Sequence, residues 1–465
     1  MIIKDIIKNT SFLTFSRVVS LISSFLFSIF AARLLNPIGY GQYALILVFY
    51  NYSLVVADFG SNEIVIREIA SKASEEQNIF IDSVNLRSIS SFVSAALMIL
   101  IIGFFKSEIL FASLIAAVSL IPGTFYNLQS SILRAKEKMN YIAYTEIIHT
   151  VLRTTGGIIA VYLTGSITVL FLWILTADTL RLIIISFFNK PSLKKLTFYY
   201  INLFEKRIFK ESYSVFGWKV TGSIYGTINV LLLSFVMGDK VTGLFKVSDN
   251  IVQIFLGFST VVVNAIFPYM VKFHSQAAKN GHKAINILFR VLFIFFFPLM
   301  IAIYFSGNNL IHLLYGNRYY ESGDLLKVLF VQFGLGSALV ILGSYGITIG
   351  KQKAGMITAV IATVFKFIVC LVFAQTNNLM NYIYGILLAD IFNLILLIYA
   401  FTYRNKVLKK EMLSIAAIVI FGIIGISPIF IFDGAWGICL SSMYILGFVI
   451  SNIINIKTKL SIKVS

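Results

Sequence analysis

Fourteen long apolar runs, separated by short polar stretches, make up most of this 465-residue sequence. Each run is long enough to cross a hydrocarbon core of ~30 Å, which takes about 20 helical residues. Unpaired backbone groups are costly in lipid, so runs this long and this continuously apolar must be helices rather than barrel strands. The runs lie at 11–32, 41–61, 88–105, 109–132, 141–163, 167–188, 212–237, 241–266, 286–306, 325–349, 354–374, 382–401, 412–432 and 434–455.

The composition supports the same fold class. The chain is 58% hydrophobic and 12% charged, whereas soluble domains are about 25% charged. We therefore expect an all-α polytopic membrane protein with about 14 transmembrane helices. The first run is too long for the apolar region of a signal peptide, so we expect it to remain as an anchor helix.

The basic residues indicate how the helices are oriented. The net charge is +18, but the basic side chains lie in short loops, which is typical of membrane topology rather than nucleic-acid binding. If the N-terminus is inside and the helices alternate, inside segments hold 26 of the 38 Lys and Arg residues, Arg87 among them. The outside holds four: Lys106, Lys240, Arg318 and the helix-end residue Arg33. Both termini are thus predicted to be cytoplasmic.

A weak internal repeat divides the first twelve helices into two halves. Gly41-Gln42-Tyr43 opens the second run and Gly243-Leu244-Phe245 opens the eighth, 202 positions later. Arg17 and Lys219 are related by the same offset. Six helices per half make this a parallel repeat. We predict six-helix lobes at 1–200 and 201–403, around a central cavity, and two extra helices at 404–465.

Charged residues inside the apolar runs are the candidate functional residues. Each charge at a helix centre costs ~2.5–3.5 kcal/mol, so most must face water or a partner. A cationic cavity suits an anionic substrate such as a phosphate, whereas buried acids suit ion coupling. The substrate-binding candidates are Arg17, Arg153, Lys219, Lys366, Arg181 and Arg290, and the ion-coupling candidates are Glu146, Asp178, Asp249 and Asp390.

Structural roles compete with these functions. Arg290 lies close enough to a helix end to snorkel. The mid-span charges also fit interhelical ion pairs, and Asp178 could pair locally with Arg181 three residues on. The fifth run has the clearest pattern, because three- and four-residue steps place its polar side chains on one face. These side chains are Glu146, His149, Thr150, Arg153 and Gly157.

Several functional classes lack their sequence signature. The chain has no GxxxxGK[ST] phosphate loop, and its two cysteines, Cys370 and Cys439, stand apart within apolar runs. No group of residues has metal-ligand spacing, and no stretch is large enough for a catalytic domain. We therefore expect a transporter rather than an enzyme, with no metal and no cofactor.

Three helix junctions make the sequence similar to a known family. Ala31–Leu45 reads AARLLNPIGYGQYAL, Ala57-Asp58-Phe59-Gly60 precedes Ile66-Arg67-Glu68-Ile69-Ala70, and Leu133–Lys138 reads LRAKEK. In this order, at these junctions, they resemble the polysaccharide transporter family, the Wzx-type flippases of O-antigen and exopolysaccharide repeat units. The first segment is also readable locally, since Asn36-Pro37 halts one helix and Gly39 and Gly41 let the next begin.

The resemblance implies the fold of the multidrug/oligosaccharidyl-lipid/polysaccharide exporter superfamily. It implies ion-driven transfer of an undecaprenyl-pyrophosphate-linked oligosaccharide to the outer leaflet of a bacterial inner membrane, coupled to H⁺ or Na⁺. A polysaccharide polymerase and a chain-length regulator are the implied protein partners. Three alternatives stay open: a lipid II flippase, a multidrug/cation antiporter of the same superfamily, and, more distantly, a membrane polysaccharide polymerase.

Overall fold

The described part of the protein is almost entirely helical. The computed structural model describes residues 2–71, 76–189, 206–276 and 278–402, with residues 447 and 452. These ranges contain thirteen α-helices and two 3₁₀ turns, Ser107–Ile109 and Asn317–Tyr319. The helices are α1 (Ile2–Asp58), α2 (Ser61–Ser71), α3 (Glu76–Phe105), α4 (Leu110–Ala135), α5 (Met139–Thr164), α6 (Ile167–Phe188), α7 (Lys206–Val236), α8 (Asp239–Gln276), α9 (Ala278–Tyr315), α10 (Ser322–Leu329), α11 (Val331–Thr348), α12 (Gln352–Ala374) and α13 (Leu379–Thr402).

Helix α1 is interrupted at Asn36, whose backbone is left-handed with φ 59° and ψ 174°. The Asn36 side-chain oxygen accepts hydrogen bonds from the backbone N–H groups of Ile38 (3.1 Å) and Gly39 (3.3 Å). Asn36 therefore caps a new helix, with Pro37 in its first turn, where the missing N–H costs nothing. The predicted break is confirmed, and we call the two parts α1a (2–35) and α1b (37–58).

The described helices account for twelve of the fourteen predicted spans. Eleven described helical segments are long and apolar enough to cross a membrane. Twelve predicted runs fall within them because the first two share the kinked α1. The runs at 412–432 and 434–455 lie outside the described residues, apart from residues 447 and 452. Large exposed apolar side chains such as Phe92 and Phe104 (76% and 84% exposed) suit a lipid-facing surface.

Contacts divide the chain into two compact units, Met1–Val247 and Ser248–Ser465. In the first unit, α1 packs against α3, α5 and α7, and α4 packs against α6. In the second unit, α12 packs against α13, and α9 packs against α10 and α11. The division at 1–200, 201–403 and 404–465 stays a prediction.

The corner between α1 and α2 is a left-handed turn, and α7 packs against it. Phe59 and Gly60 have φ values of 46° and 68°. The Phe59 ring stacks on Phe216 of α7 at a centroid distance of 4.6 Å. A Cβ added at Gly60 would lie 2.8 Å from the Ser212 carbonyl oxygen. Glycine is therefore required here both for the turn and for the close approach of α7.

Candidate functional site: buried charge networks of the first unit

The polar stripe predicted on the fifth span lies on α5 and is largely buried in the first unit. Thr150 is 9% exposed, and its hydroxyl lies 3.2 Å from that of Ser20 on α1a. His149 is 5% exposed. The stripe therefore provides polar contacts between helices, as its helical spacing predicts.

Glu146 and Arg181 join α5 to α6. They form an ion pair with hydrogen bonding, and the Tyr126 hydroxyl of α4 donates to Glu146 Oε1 at 2.9 Å. The Arg181 guanidinium lies 3.5 Å from the Tyr126 ring centroid, a cation–π contact. The Tyr126 side chain thus contacts both charged groups. We interpret the Glu146–Arg181 pair as a structural link between helices.

His149 and Asp178 form the second link between the same helices. His149 Nε2 lies 2.9 Å from Asp178 Oδ1, and the Tyr50 hydroxyl of α1b donates to Asp178 Oδ2 at 3.2 Å. Arg153 is within electrostatic reach of Asp178 and of the Tyr43 and Tyr50 hydroxyls. Asp178 is 2% exposed, and both of its oxygens have a protein partner.

The local ion pair between Asp178 and Arg181 is not formed. Because α5 packs along α6, it presents Glu146 to Arg181 and His149 to Asp178. The five ionisable groups that meet here have zero formal charge with a neutral histidine and +1 with a protonated one. The neutral and the protonated histidine thus differ by one unit of charge in an otherwise balanced cluster.

A second network in the first unit surrounds Arg87, which was predicted to lie in an inside segment just before the third apolar run. Helix α3 begins at Glu76, twelve residues before the predicted span, so Arg87 lies within it and is 0% exposed. Arg87 Nη1 lies 3.2 Å from Asp58 Oδ1 and donates to the Thr124 carbonyl oxygen at 2.6 Å.

The other oxygen of Asp58 completes this network. Asp58 Oδ2 accepts hydrogen bonds from the side-chain amides of Asn62 and Asn127, both at 3.0 Å. Arg87 Nη2 also donates to the Ser61 hydroxyl at 3.0 Å. The pair therefore fastens α1b, α2, α3 and α4 together. The sequence did contain a signal for the buried position of Arg87. Polar residues follow helical spacing around it and are buried on the same helix: Ser83, Arg87, Ser91 and Ser94.

In the second unit, Lys366 of α12 pairs with Asp390 of α13. Lys366 Nζ lies 3.2 Å from Asp390 Oδ1, and their side chains are 2% and 3% exposed. The Gln332 amide of α11 donates to Asp390 Oδ2 at 2.9 Å. This geometry is that of an interhelical ion pair, one of the two roles predicted for mid-span charges such as Lys366 and Asp390.

Two further predicted residues of the second unit also have protein partners. Arg290 donates to the side-chain oxygens of Asn286 (2.7 Å) and Asn452 (2.6 Å). Asp249 Oδ1 accepts a hydrogen bond from Gln253, one turn further along α8, at 2.9 Å. The structure does not gather these residues with Lys366 and Asp390 into one described cluster.

The two remaining predicted cations, Arg17 and Lys219, are at least partly exposed. Arg17 on α1a is exposed and forms no ion pair with any residue that the structure describes. Lys219 Nζ on α7 lies 2.9 Å from Glu63 Oε2 on α2. These side chains are 32% and 51% exposed, so water reaches the Lys219–Glu63 pair.

Residues 6–274 match the sequence profile of a family described as polysaccharide biosynthesis protein. This chain belongs to that family. The family predicted from the three helix junctions is therefore confirmed. A comparison with curated proteins gives no match.

This member of the polysaccharide biosynthesis family has the fold of known membrane transporters. It superposes on lipid II flippase MurJ in an inward closed conformation with a TM-score of 0.71 at 17% identity, covering 95% of this chain and 98% of MurJ. It also superposes on an inward-facing multidrug resistance MATE family transporter of the MOP superfamily, with a TM-score of 0.58 at 16% identity. That match covers 88% of this chain and 95% of the transporter.

Proposed function

We propose that this protein moves an undecaprenyl-pyrophosphate-linked polysaccharide repeat unit, such as an O-antigen unit, from the inner to the outer leaflet. The proposal joins the family of the chain to a fold shared with a lipid flippase. The observation that carries it is the pair of accessible cations at matching positions of the repeat, Arg17 and Lys219. The location would be a bacterial inner membrane, with cytoplasmic termini and with a polymerase and a chain-length regulator as partners.

We assign the diphosphate end of the substrate to Arg17 and Lys219. The other four predicted cations are engaged by protein groups: Arg153 by Asp178 and two tyrosines, Arg181 by Glu146, Lys366 by Asp390, and Arg290 by two asparagines. Two cations related by one repeat offset suit the two phosphates of a pyrophosphate. Glu63, a carboxylate already bound to Lys219, occupies the place that a phosphate oxygen would take.

We assign the coupling ion to a proton at His149 and Asp178. Both oxygens of Asp178 already have a protein partner, so a sodium ion would have to compete with His149 and Tyr50 for them. The imidazole, in contrast, gains or loses a proton within this geometry. Glu146, Asp249 and Asp390 then hold helices in place rather than couple transport.

A reconstituted assay tests the function. Purified protein in liposomes should move a fluorescent undecaprenyl-pyrophosphate-linked oligosaccharide between leaflets faster than protein-free liposomes, scored by accessibility to an impermeant quencher. Lipid II and a cationic dye serve as the rival substrates. Faster movement of lipid II, or dye export without lipid movement, would contradict the proposal in favour of one of the two rivals.

Removal of either accessible cation should slow this transport. We expect Arg17→Ala and Lys219→Ala each to reduce the rate at limiting substrate roughly tenfold or more, since a charge-assisted hydrogen bond contributes about 1.5–3 kcal/mol. Glu63→Gln should have the opposite effect and strengthen inhibition by free pyrophosphate, because it removes the competing carboxylate. The matched control is Asp324→Asn, which breaks a Lys327–Asp324 pair of similar exposure (27% and 55%). If Glu63→Gln and Asp324→Asn had equal effects on transport and on pyrophosphate inhibition, Lys219 would not be the diphosphate-binding residue.

A further inference from the structure

Two glycines of the repeat pack against each other's helices in a reciprocal way. A Cβ added at Gly41 would lie 1.9 Å from the Asp239 carbonyl oxygen, and one added at Gly243 would lie 1.9 Å from the Pro37 carbonyl oxygen. Each glycine thus meets the residue four positions before the other glycine. Both pairs, 37 with 239 and 41 with 243, are 202 positions apart, the offset found in the sequence. The contact has the self-complementary form of a two-fold interface.

Only glycine allows this approach. Gly41 and Gly243 lie in the first turns of α1b and α8, and their hydrogen atoms let the two backbones touch. Other glycines nearby have no such role, because a Cβ at Gly217, Gly222 or Gly226 of α7 would meet nothing within 4 Å.

Polar side chains hold the same contact. Lys106 Nζ, at the end of α3, lies 3.0 Å from Asp239 Oδ1, and the Ser234 hydroxyl also hydrogen-bonds to that oxygen. Thr242, beside Gly243, is 0% exposed. The contact is therefore closed to water and pinned by an ion pair whose side chains are 14% and 7% exposed.

The loop charges predict that this end of the helices faces outward, since Lys106 and Lys240 belong to the few basic residues of outer loops. A carrier that delivers its substrate to the outer leaflet must open at this end. Because the two helices meet through their backbones and not through interlocking apolar side chains, they can separate without repacking a core once the Lys106–Asp239 ion pair breaks.

We infer that the reciprocal contact of Gly41 with Gly243, pinned by the Lys106–Asp239 ion pair, is the outer closure of the transport path. Helices α1b and α8 separate there when the outer end opens. The inference rests on the proposed flippase function and specifies the contact that alternates with substrate release.

Thiol labelling tests the closure directly. Thr242→Cys is introduced in a Cys439→Ser background, and spheroplasts are treated with a membrane-impermeant thiol reagent. We expect Gly41→Ala or Gly243→Ala to raise the labelling rate at position 242 at least tenfold, with Gly226→Ala as the unchanged control. The buried native Cys370 stays unlabelled if the variants are folded. Labelling at 242 that is the same in Gly41→Ala and in the control would overturn the inference.

Crosslinking supplies a second test that leaves both glycines in place. Lys106→Cys and Asp239→Cys are joined by a short, reductively cleavable bis-maleimide. Transport should fall to background in the crosslinked protein and return after cleavage, and full transport while crosslinked would refute the closure. The labelling test involves no substrate, so its failure is distinguishable from failure of the proposed function, which the liposome assay reports.

Discussion

Arg87→Met is expected to destabilise the protein by ~3–5 kcal/mol, because it leaves Asp58 as a buried charge without its counterion. The side chain of Arg87 is fully buried, and that of Asp58 is 10% exposed. The measurement is the free energy of unfolding in detergent, with the thermal midpoint as a second readout. Arg67→Met is the matched control, since Arg67 is 57% exposed beside Glu68 and should change stability by ~0–1 kcal/mol.

A double variant separates charge from packing in this network. Arg87→Met with Asp58→Asn should recover part of the loss, because the remaining amide carries no charge and can still hydrogen-bond to Asn62 and Asn127. If the single Arg87→Met variant were as stable as the parent, Arg87 would not stabilise the packing of α1b, α2, α3 and α4. A double variant as unstable as the single one would assign the loss to packing alone.

Asp178→Asn is expected to reduce proton-driven transport to the rate seen with the gradient collapsed. An amide keeps the size of the carboxylate and its contacts with His149 and Tyr50, but it removes the charge that stabilises a protonated imidazole. The measurement is flipping in liposomes after a pH jump, with a sodium jump at constant pH in parallel.

The comparison variant is Asp249→Asn, because Asp249 was an equal candidate from the sequence and hydrogen-bonds to Gln253 of its own helix. It should keep most of its proton-driven transport. Undiminished proton-driven transport by Asp178→Asn would rule out a coupling role for the His149–Asp178 pair. If transport by the unsubstituted protein responded only to the sodium jump, the coupling ion would be Na⁺ and not a proton.

The sequence was sufficient for the helices and for one polar face, but not for the pairing of charges. Helical spacing placed Glu146 and His149 on one face of α5, and the structure confirms that face. Their partners could not be predicted, because periodicity says which side chains share a face and not which helix packs against it. Arg181 accordingly pairs with Glu146 on α5 rather than with Asp178 on its own helix.

Two junction residues show the same limit. Asn36 was correctly predicted to interrupt a helix, since capping is a local property of the chain. Gly41 was interpreted as a residue that helps the next helix begin, but its essential property is the space it leaves for α8. That second role depends on a residue about 200 positions away. The helix that holds Arg87 was predicted too short for a related reason, because hydropathy places its start only where the apolar residues begin.

The Asp58–Arg87 pair also bears on how the chain enters the membrane during synthesis. An isolated arginine in an inserting helix resists partitioning into lipid. Asp58 leaves the ribosome 29 residues before Arg87, and α1b and α3 pack side by side. The carboxylate is therefore synthesised before the arginine, so a counterion from the same chain is available when α3 enters lipid. Asn127 joins later with α4, so the network is completed in the order in which its helices are made.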